Sequence, residues 1–148
     1  MSAKENLNIA NKYYELFNKN DFNSLIQLWT DNPSFWSIPD NQKYTGKDGI
    51  KKSFNMWKKA FPDAKCDVKN MVANDEYIVT EFIGTGKHDG TFETPMGKFD
   101  PTHKKVNIPF VEILKLKNGK IDNAKLYFDT TSVMNQLGIS LHHHEPAY

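Results

Sequence analysis

The sequence predicts an α+β domain in which N-terminal helices pack on a curved, mostly antiparallel sheet. Apolar residues recur every three or four positions before Pro62 and every second position after it, which marks a change from helical to strand periodicity. Asn118-Gly119 lies between two β-rich segments and is a strong hairpin signal. Helices segregated from an antiparallel sheet define this fold class, and a twisted sheet covered on one face can curl around a pocket.

An apolar stripe at helical spacing predicts the first helix. Its members are Leu7, Ala10, Tyr13, Tyr14 and Phe17. Asp21 is a suitable N-cap for a second, short helix, because its carboxylate can accept hydrogen bonds from free backbone N–H groups of the first turn. The apolar residues of that helix are Phe22, Leu25, Ile26 and Trp29. Asn32-Pro33 is expected to end it, because proline cannot continue a helix.

Irregular chain is predicted for residues 34–46, which contain Pro39 and Gly46. A third helix is predicted over residues 47–60 and stops at Pro62. Its apolar face contains Ile50, Phe54, Trp57 and Phe61.

Four long strands are predicted after the helices. They lie around residues 66–72, 76–86, 105–116 and 120–130. Glycines and prolines between residues 84 and 101 predict a long loop before the third strand. A short last helix is expected over Ser132–Leu137, with Gly138 as its C-terminal stop.

The composition predicts one domain over residues 1–148. This length suffices for a hydrophobic core, and 39% of the residues are apolar. All 19 basic residues are lysine, and arginine is the usual bidentate ligand of phosphate and guanine, so we expect no nucleic-acid partner. No apolar run approaches the ~18 residues that span a membrane. We therefore expect a cytoplasmic protein without a membrane partner.

Sequence motifs for cofactors, metals and nucleophilic catalysis are not recognisable. There is no dinucleotide-binding glycine motif, no phosphate-binding loop and no nucleophile elbow. Cys66, the only cysteine, fits strand periodicity and is interpreted as a core residue. The consecutive histidines 142–144 cannot all point one way, so we interpret them as a solvated tail and predict no metal site.

Several short segments together resemble one family. They are Ala60-Phe61-Pro62-Asp63, Gly86-Lys87-His88-Asp89-Gly90, Pro101-Thr102, Lys104-Lys105-Val106, Asn118-Gly119-Lys120-Ile121, Asp129 and Gln136-Leu137-Gly138. In this order they resemble the SnoaL-like polyketide cyclases and ester cyclases of the NTF2-like superfamily. The resemblance implies a cone-shaped fold with an apolar pocket, often in a homodimer. It also implies an intramolecular aldol condensation run by acid–base chemistry without cofactor or metal.

Two residues are candidates for proton transfer. Glu112 shares a strand face with Phe110 and Leu114, and a carboxylate on a buried face should have a raised pKa, as a general base or acid requires. The alternative is that Glu112 pairs with a lysine or tyrosine, or faces solvent or a dimer partner. His88 matches a histidine of the resembled family; the alternative is a loop histidine that caps backbone groups.

The resemblance also places a ligand pocket and one important departure from the family. The predicted pocket residues are Trp36, Ser37, Phe110, Leu126, Phe128, Trp57 and Tyr14. Aligned without gaps from Gly119-Lys120-Ile121, the family's catalytic aspartate falls at Leu126 and a family histidine at Ala124. Leucine cannot move a proton, so the aldol mechanism does not transfer unchanged.

Three functions therefore follow as alternatives. The first is a cofactor-free acid–base enzyme that acts on a small apolar carbonyl compound or ester. The second is a small-molecule-binding protein of the same superfamily without catalysis. The third is a dimeric interaction module with an occluded pocket, which a cavity below ~300 Å3 would favour.

Overall fold

A computed structural model describes residues 2–140 as four α-helices, a six-stranded sheet and a separate two-stranded sheet. The helices are α1 (Ala3–Asn18), α2 (Phe22–Leu25), α3 (Gly46–Ala60) and α4 (Thr130–Leu137), with a 3-10 turn at Ile26–Leu28. The strands are β1 (Trp29–Ser37), β2 (Gln42–Thr45), β3 (Lys65–Ala73), β4 (Tyr77–Lys87), β5 (Phe92–Thr94), β6 (Gly97–Phe99), β7 (Lys105–Lys117) and β8 (Lys120–Phe128). The predicted α+β class is confirmed. Histidines 142–144 lie outside the described residues.

The large sheet has the strand order β2-β1-β8-β7-β4-β3. Only the contact between β1 and β8 is parallel; the other neighbours in this described sheet run antiparallel. The central β7–β8 hairpin turns at Asn118 and Gly119, whose φ angles are 52° and 76°. Both values lie in the left-handed region that a two-residue hairpin loop needs, so the predicted hairpin is confirmed.

The segment before α3 differs from the prediction. Trp29 begins β1 instead of ending a helix, and most of residues 34–46 form β1 and β2. Pro33 lies where the β1–β8 register shifts, between Trp29 and Ser34, so a proline without an N–H group is tolerated there. The pairing of β1 with β8 joins residues about 90 positions apart in the chain, and helical periodicity over a few residues carries no signal for it.

The segment predicted as one long loop also contains strands. β4 continues to Lys87, and β5 and β6 form a small hairpin. Gly84 and Gly86 therefore lie in a strand and do not mark a turn. A Cβ atom at Gly84 would lie 2.5 Å from the Phe110 ring, so this glycine makes room for an aromatic side chain.

Helices α1 and α3 cover the inner face of the sheet. α1 begins with a capping box, in which the Ser2 hydroxyl accepts the Glu5 N–H at 3.1 Å and the Glu5 carboxylate accepts the Ser2 N–H at 3.2 Å. Aromatic rings from both helices and the sheet fill the space between them. Among these rings are Tyr13, Tyr14, Phe35, Phe54, Phe82 and Phe110.

Helix α4 closes one side of the sheet. Asp129 is its N-cap and accepts the Thr131 N–H at 2.9 Å, a structural role for this aspartate. Gln136 then forms two hydrogen bonds with the backbone of Asn107 on β7, at 2.7 and 3.0 Å. Gly138 ends the helix with φ 69°, as predicted.

The packing at Gly90 predicts a large effect of one methyl group. A Cβ atom there would lie 1.8 Å from the Lys59 carbonyl oxygen, and the Gly90 N–H donates to the Ala60 oxygen at 3.1 Å. We expect Gly90→Ala to lower the free energy of unfolding by about 1–3 kcal/mol, measured by urea unfolding, because backbone must move to relieve the overlap.

Gly49→Ala is the matched control. Gly49 lies inside α3, and a Cβ atom there would be in ordinary contact with Tyr44, 3.5 Å away. We expect this variant to be as stable as the parent or more stable by up to ~1 kcal/mol, because alanine favours the helix. Equal stability of the two variants would contradict the steric argument.

Candidate functional site

A cavity of about 80 Å3 lies between the inner face of the sheet and helices α1 and α3. Its wall is mostly aromatic and aliphatic. Its lining residues include Tyr13, Tyr14, Phe17, Phe35, Trp57, Lys65, Phe110, Glu112 and Leu126. The structure thus brings five of the predicted site residues, Tyr14, Trp57, Phe110, Glu112 and Leu126, around one space.

Among the described residues, Glu112 is the one carboxylate in the wall of this cavity, and it is only 2% exposed. The β4–β7 register is continuous from Lys105 to Lys115, so strand alternation directs Glu112 inward with Phe110 and Leu114. Helix α1 supplies its hydrogen-bond partners. The Tyr14 hydroxyl donates to Oε1 at 2.8 Å, and the Tyr13 hydroxyl donates to Oε2 at 3.2 Å.

Burial changes how this group titrates. Removal from water raises the pKa of Glu112 to about 7, although the hydrogen bonds from Tyr14 and Tyr13 act in the opposite direction. Burial, together with the nearby Glu112 charge, raises the pKa of both tyrosines well above the ordinary value. Near neutral pH the carboxyl group is therefore poised between its two forms, while the phenols keep their protons.

His88 lies far from Glu112. Thr80 is the β4 neighbour of Glu112, and eight residues separate Thr80 from His88, roughly 26 Å of strand at ~3.3 Å per residue. His88 is fully buried, and burial lowers the pKa of its ring. Its Nδ1 accepts the Thr102 N–H at 3.1 Å, which leaves the proton of the neutral ring on Nε2. This geometry matches the alternative of a histidine that holds loop backbone.

The strand face of β1 corrects the assignment of Trp36. Phe35 lines the cavity, and because side chains alternate along a strand, Trp36 lies on the opposite face. There its Nε1 donates to Asn41 at 3.0 Å, and the Lys43 ammonium lies 4.7 Å from its ring centroid. The irregular segment expected around Trp36 would have imposed no such alternation.

The other two predicted pocket residues lie beside the cavity. Ser37 is buried on the same face as Phe35, where β1 pairs with Leu126. The Phe128 ring is 5.1 Å from the Phe110 ring and 5.5 Å from that of Trp57, so it supports two wall residues from behind.

Tyr13 is a hydrogen-bond partner of Glu112 that the sequence did not identify as a site residue. It belonged to the apolar stripe of α1, and such a stripe indicates burial without showing where a phenol hydroxyl points. Two adjacent tyrosines in an apolar stripe were a signal for a buried acceptor, because buried tyrosine hydroxyls need a hydrogen-bond partner.

Within residues 2–140, no three His, Cys, Asp or Glu side chains come together in a group that could hold a metal ion. No helix in this described part of the chain is long and apolar enough to cross a membrane.

Comparison with known proteins assigns the family. The family model described as SnoaL-like polyketide cyclase matches residues 8–137. No curated protein matches the sequence.

Solved structures share the fold at low sequence identity. AclR from Streptomyces galilaeus, a proposed hydroxylase, is 24% identical with a TM-score of 0.79, over 93% of this chain and 83% of AclR. A proposed SnoaL-like polyketide cyclase from Jannaschia sp. CCS1 is 16% identical with a TM-score of 0.82, over 93% of this chain and 94% of that one. A protein from Catenulispora acidiphila with a ketosteroid isomerase-like fold, solved with trimethylamine, is 14% identical with a TM-score of 0.75. The match covers 89% of this chain and 93% of that one.

These likenesses confirm the NTF2-like cone that the resemblance implied. Because the family match spans most of the chain, the protein belongs to the SnoaL-like polyketide cyclase family.

Proposed function

We propose that the protein is a cofactor-free acid–base catalyst that acts on a small apolar carbonyl compound or ester. The observation that carries this proposal is Glu112, a carboxylate with 2% exposure in the wall of an apolar cavity. Buried carboxylates are rare because burial disfavours their charge, and a pKa near the working pH suits a general base. Burial raises the pKa of Glu112 to about 7, which is in that range.

The chemical step is removal of a proton from the carbon next to a carbonyl group. Ionised Glu112 accepts that proton through one carboxylate oxygen, and negative charge passes to the substrate oxygen. The Tyr13 and Tyr14 hydroxyls are the donors closest to the carboxylate, at 3.2 and 2.8 Å. They orient it, and when Glu112 becomes protonated they can donate to the new oxyanion instead.

The position of Glu112 is also relevant to Leu126, which stands where the resembled family has its catalytic aspartate. The two residues are direct cross-strand neighbours on β7 and β8. Side chains in such a pair begin about 5 Å apart and point to the same face. Glu112 therefore brings a carboxylate to the part of the cavity that the resemblance assigns to the aspartate at position 126, from the neighbouring strand and with one more methylene group.

The cavity volume favours a second candidate function. A volume of about 80 Å3 is below the ~300 Å3 that typical ligand pockets have, as expected for an interaction module with an occluded pocket. In the enzyme proposal, the substrate must be small or the half-buried rings of Phe17 and Trp57 must move aside. Ligand binding without proton transfer is the remaining alternative, since the substitutions at Leu126 and Ala124 make that region apolar.

We also propose a homodimer that forms through the outer face of the sheet. Large apolar side chains with high exposure among residues 2–140 are Val72, Tyr77, Val79, Met96 and Tyr127, and all except Met96 lie on this face. Val72 pairs with Val79, which pairs with Ile113, so the apolar side chains form a continuous row across three strands. Glu81 and Lys125 flank the row. In a two-fold symmetric dimer each copy would therefore present one negative and one positive side chain beside the apolar contact.

The enzyme proposal predicts a loss of proton exchange in Glu112→Gln. In D2O, the protein should accelerate exchange of the α-protons of some members of a panel of small ketones and esters, followed by NMR. We expect Glu112→Gln to reduce this rate at least ~100-fold, the usual contribution of a general base. The rate of the parent should rise with pH up to about 7 and then level off, because the ionised form is active.

Glu15→Gln is the matched control, because Glu15 lies next to Tyr14 on α1 but is exposed and bonded to Lys19. Its exchange rate should equal that of the parent. An unchanged rate in Glu112→Gln would exclude the proposed base. Ligand-induced shifts without exchange would favour the binding protein instead.

The raised pKa of Glu112 predicts an unusual dependence of stability on pH. The group titrates at about 7 when folded and near 4.5 when unfolded. The folded state therefore binds the Glu112 proton more tightly than the unfolded state does. The stability that Glu112 contributes in this way is full below pH ~4.5 and declines as pH rises through 7. At ~1.4 kcal/mol per pH unit the loss approaches about 3 kcal/mol by pH 8.

Urea unfolding at pH 5 and pH 8 tests this difference, with Glu112→Gln as the reference that lacks the titrating group. The parent should lose more stability than the variant over this interval. Carboxyl-carbon NMR should place the midpoint near 7. A midpoint near 4.5, or parallel losses in both proteins, would show that the carboxylate is solvated.

The dimer proposal predicts that Val79→Lys produces a monomer. A lysine in the middle of the apolar row would place two like charges at a two-fold contact. Light scattering coupled to size exclusion should report a dimer mass for the parent and a monomer mass for Val79→Lys. Met96→Lys, which changes an exposed apolar residue between β5 and β6, should remain dimeric. A monomeric parent would contradict the proposal.

A further inference from the structure

The cavity opens where the ends of α1 and α3 meet the start of β3. Among its lining residues, Lys65 is exposed, and Phe17 and Thr85 are half-buried, whereas Glu112 and Tyr14 are buried. Lys65 and Thr85 are cross-strand neighbours on β3 and β4. The mouth therefore lies beside Lys65, and the carboxylate lies at the closed end.

One ammonium group lines this mouth, and a second lies against two residues of the cavity wall. Lys65 lines it and donates from Nζ to the Asn18 carbonyl at the end of α1, at 2.6 Å. Lys58, on α3, holds its Nζ 4.5 Å from the centroid of the Phe17 ring and donates to the carbonyl of Ala64. Phe17 and Ala64 both line the cavity, so the Lys58 ammonium lies next to the wall of the cavity whose mouth Lys65 lines.

Within the described part of the chain, neither ammonium has an acidic partner. Among residues 2–140 no carboxylate oxygen lies within 4.0 Å of either Nζ. Asp63 is near in sequence, but its carboxylate accepts the Lys87 N–H at 2.8 Å. Each ammonium has three N–H donors and uses one on a backbone carbonyl. Two donors on each lysine remain for a ligand.

The charge at this place is costly without an anion. Burial and the nearby Lys65 charge lower the pKa of Lys58 to about 8. A bound anion would offset both effects. Backbone capping accounts for one hydrogen bond per lysine.

We propose that Lys58 and Lys65 bind the carboxylate of a small apolar substrate, whose uncharged carbonyl end then points inward to Glu112. Two ammonium groups match the two oxygens of a carboxylate. The negative charge of ionised Glu112 repels such a group from the closed end, so the opposite charges at the two ends favour one orientation. This inference deepens the proposed function, because it assigns the substrate class for the same cavity.

Binding of matched ligands tests the inference separately from catalysis. Straight-chain carboxylates of four to eight carbons are compared with the amides of the same length by NMR titration of the backbone amides. The parent and Glu112→Gln should both bind the carboxylates about 10-fold more tightly than the amides, with shifts at Lys65 and Thr85. Added salt should weaken only carboxylate binding.

Removal of the two charges should abolish this preference. In Lys58→Met/Lys65→Met the carboxylates should bind no more tightly than the amides, and Lys65→Met alone, at an exposed position, should lose part of the preference even if the double variant folds poorly. Lys19→Met, on the exposed end of α1, should behave as the parent.

Equal binding of carboxylates and amides by the parent, no binding of either, or a preference that survives in Lys65→Met undiminished would overturn the inference. Each of these results leaves the exchange experiment on Glu112 to decide the proposed function. Conversely, a clear preference for carboxylates with no proton exchange would support carboxylate binding by the two lysines and reject Glu112 as a general base.

Discussion

The burial of one carboxylate constrains the arrangement of α1 on the sheet. A carboxyl group removed from water needs hydrogen bonds, and Glu112 obtains both of its partners from adjacent residues of one helix. Successive side chains on a helix point about 100° apart, so Tyr13 and Tyr14 can both reach Glu112 only if the helix axis passes over it. The same two phenols also pack against Trp29, Phe54 and Phe82 in the core. The hydrogen bonds to Glu112 and the packing of the two tyrosine rings in the core thus fix one orientation of α1.

The aromatic packing that stabilises the fold also sets the size of the cavity. The rings of Phe82 and Phe110 stack at 4.9 Å, and Gly84 provides the space that Phe110 occupies. Helix α3 adds Phe54 and Trp57 from the other side. The wall is therefore made of side chains in mutual contact, and enlargement of the cavity requires several rings to shift together.

The sequence predicted what local patterns determine. The stripe of α1, the stop at Pro62 and the hairpin at Asn118-Gly119 depend on neighbouring residues, and all three are confirmed. The inward direction of Glu112 was also predictable, because the strand around it alternates regularly and Pro109 pairs with Ile83 without a bulge. The parallel pairing of β1 with β8 was not predictable, since it depends on residues far apart in the chain. Without that strand, Trp36 was predicted to line the pocket. His88 shows the converse, because a sequence motif identified a buried residue that binds loop backbone through Nδ1, but not its distance from the cavity.

Charge placement relates these features to chemistry. The closed end of the cavity holds a single ionisable carboxylate whose proton can come and go near neutral pH. Lys65 lines the mouth and Lys58 lies against the wall residue Phe17, and both ammonium groups lack acidic partners within the described chain. Between them the wall is almost wholly apolar, apart from the two tyrosine hydroxyls bonded to Glu112. A ligand that is negative at one end and uncharged at the other is the complement of such a cavity, and the separation of the two charges by packed rings keeps the lysines from neutralising Glu112 directly.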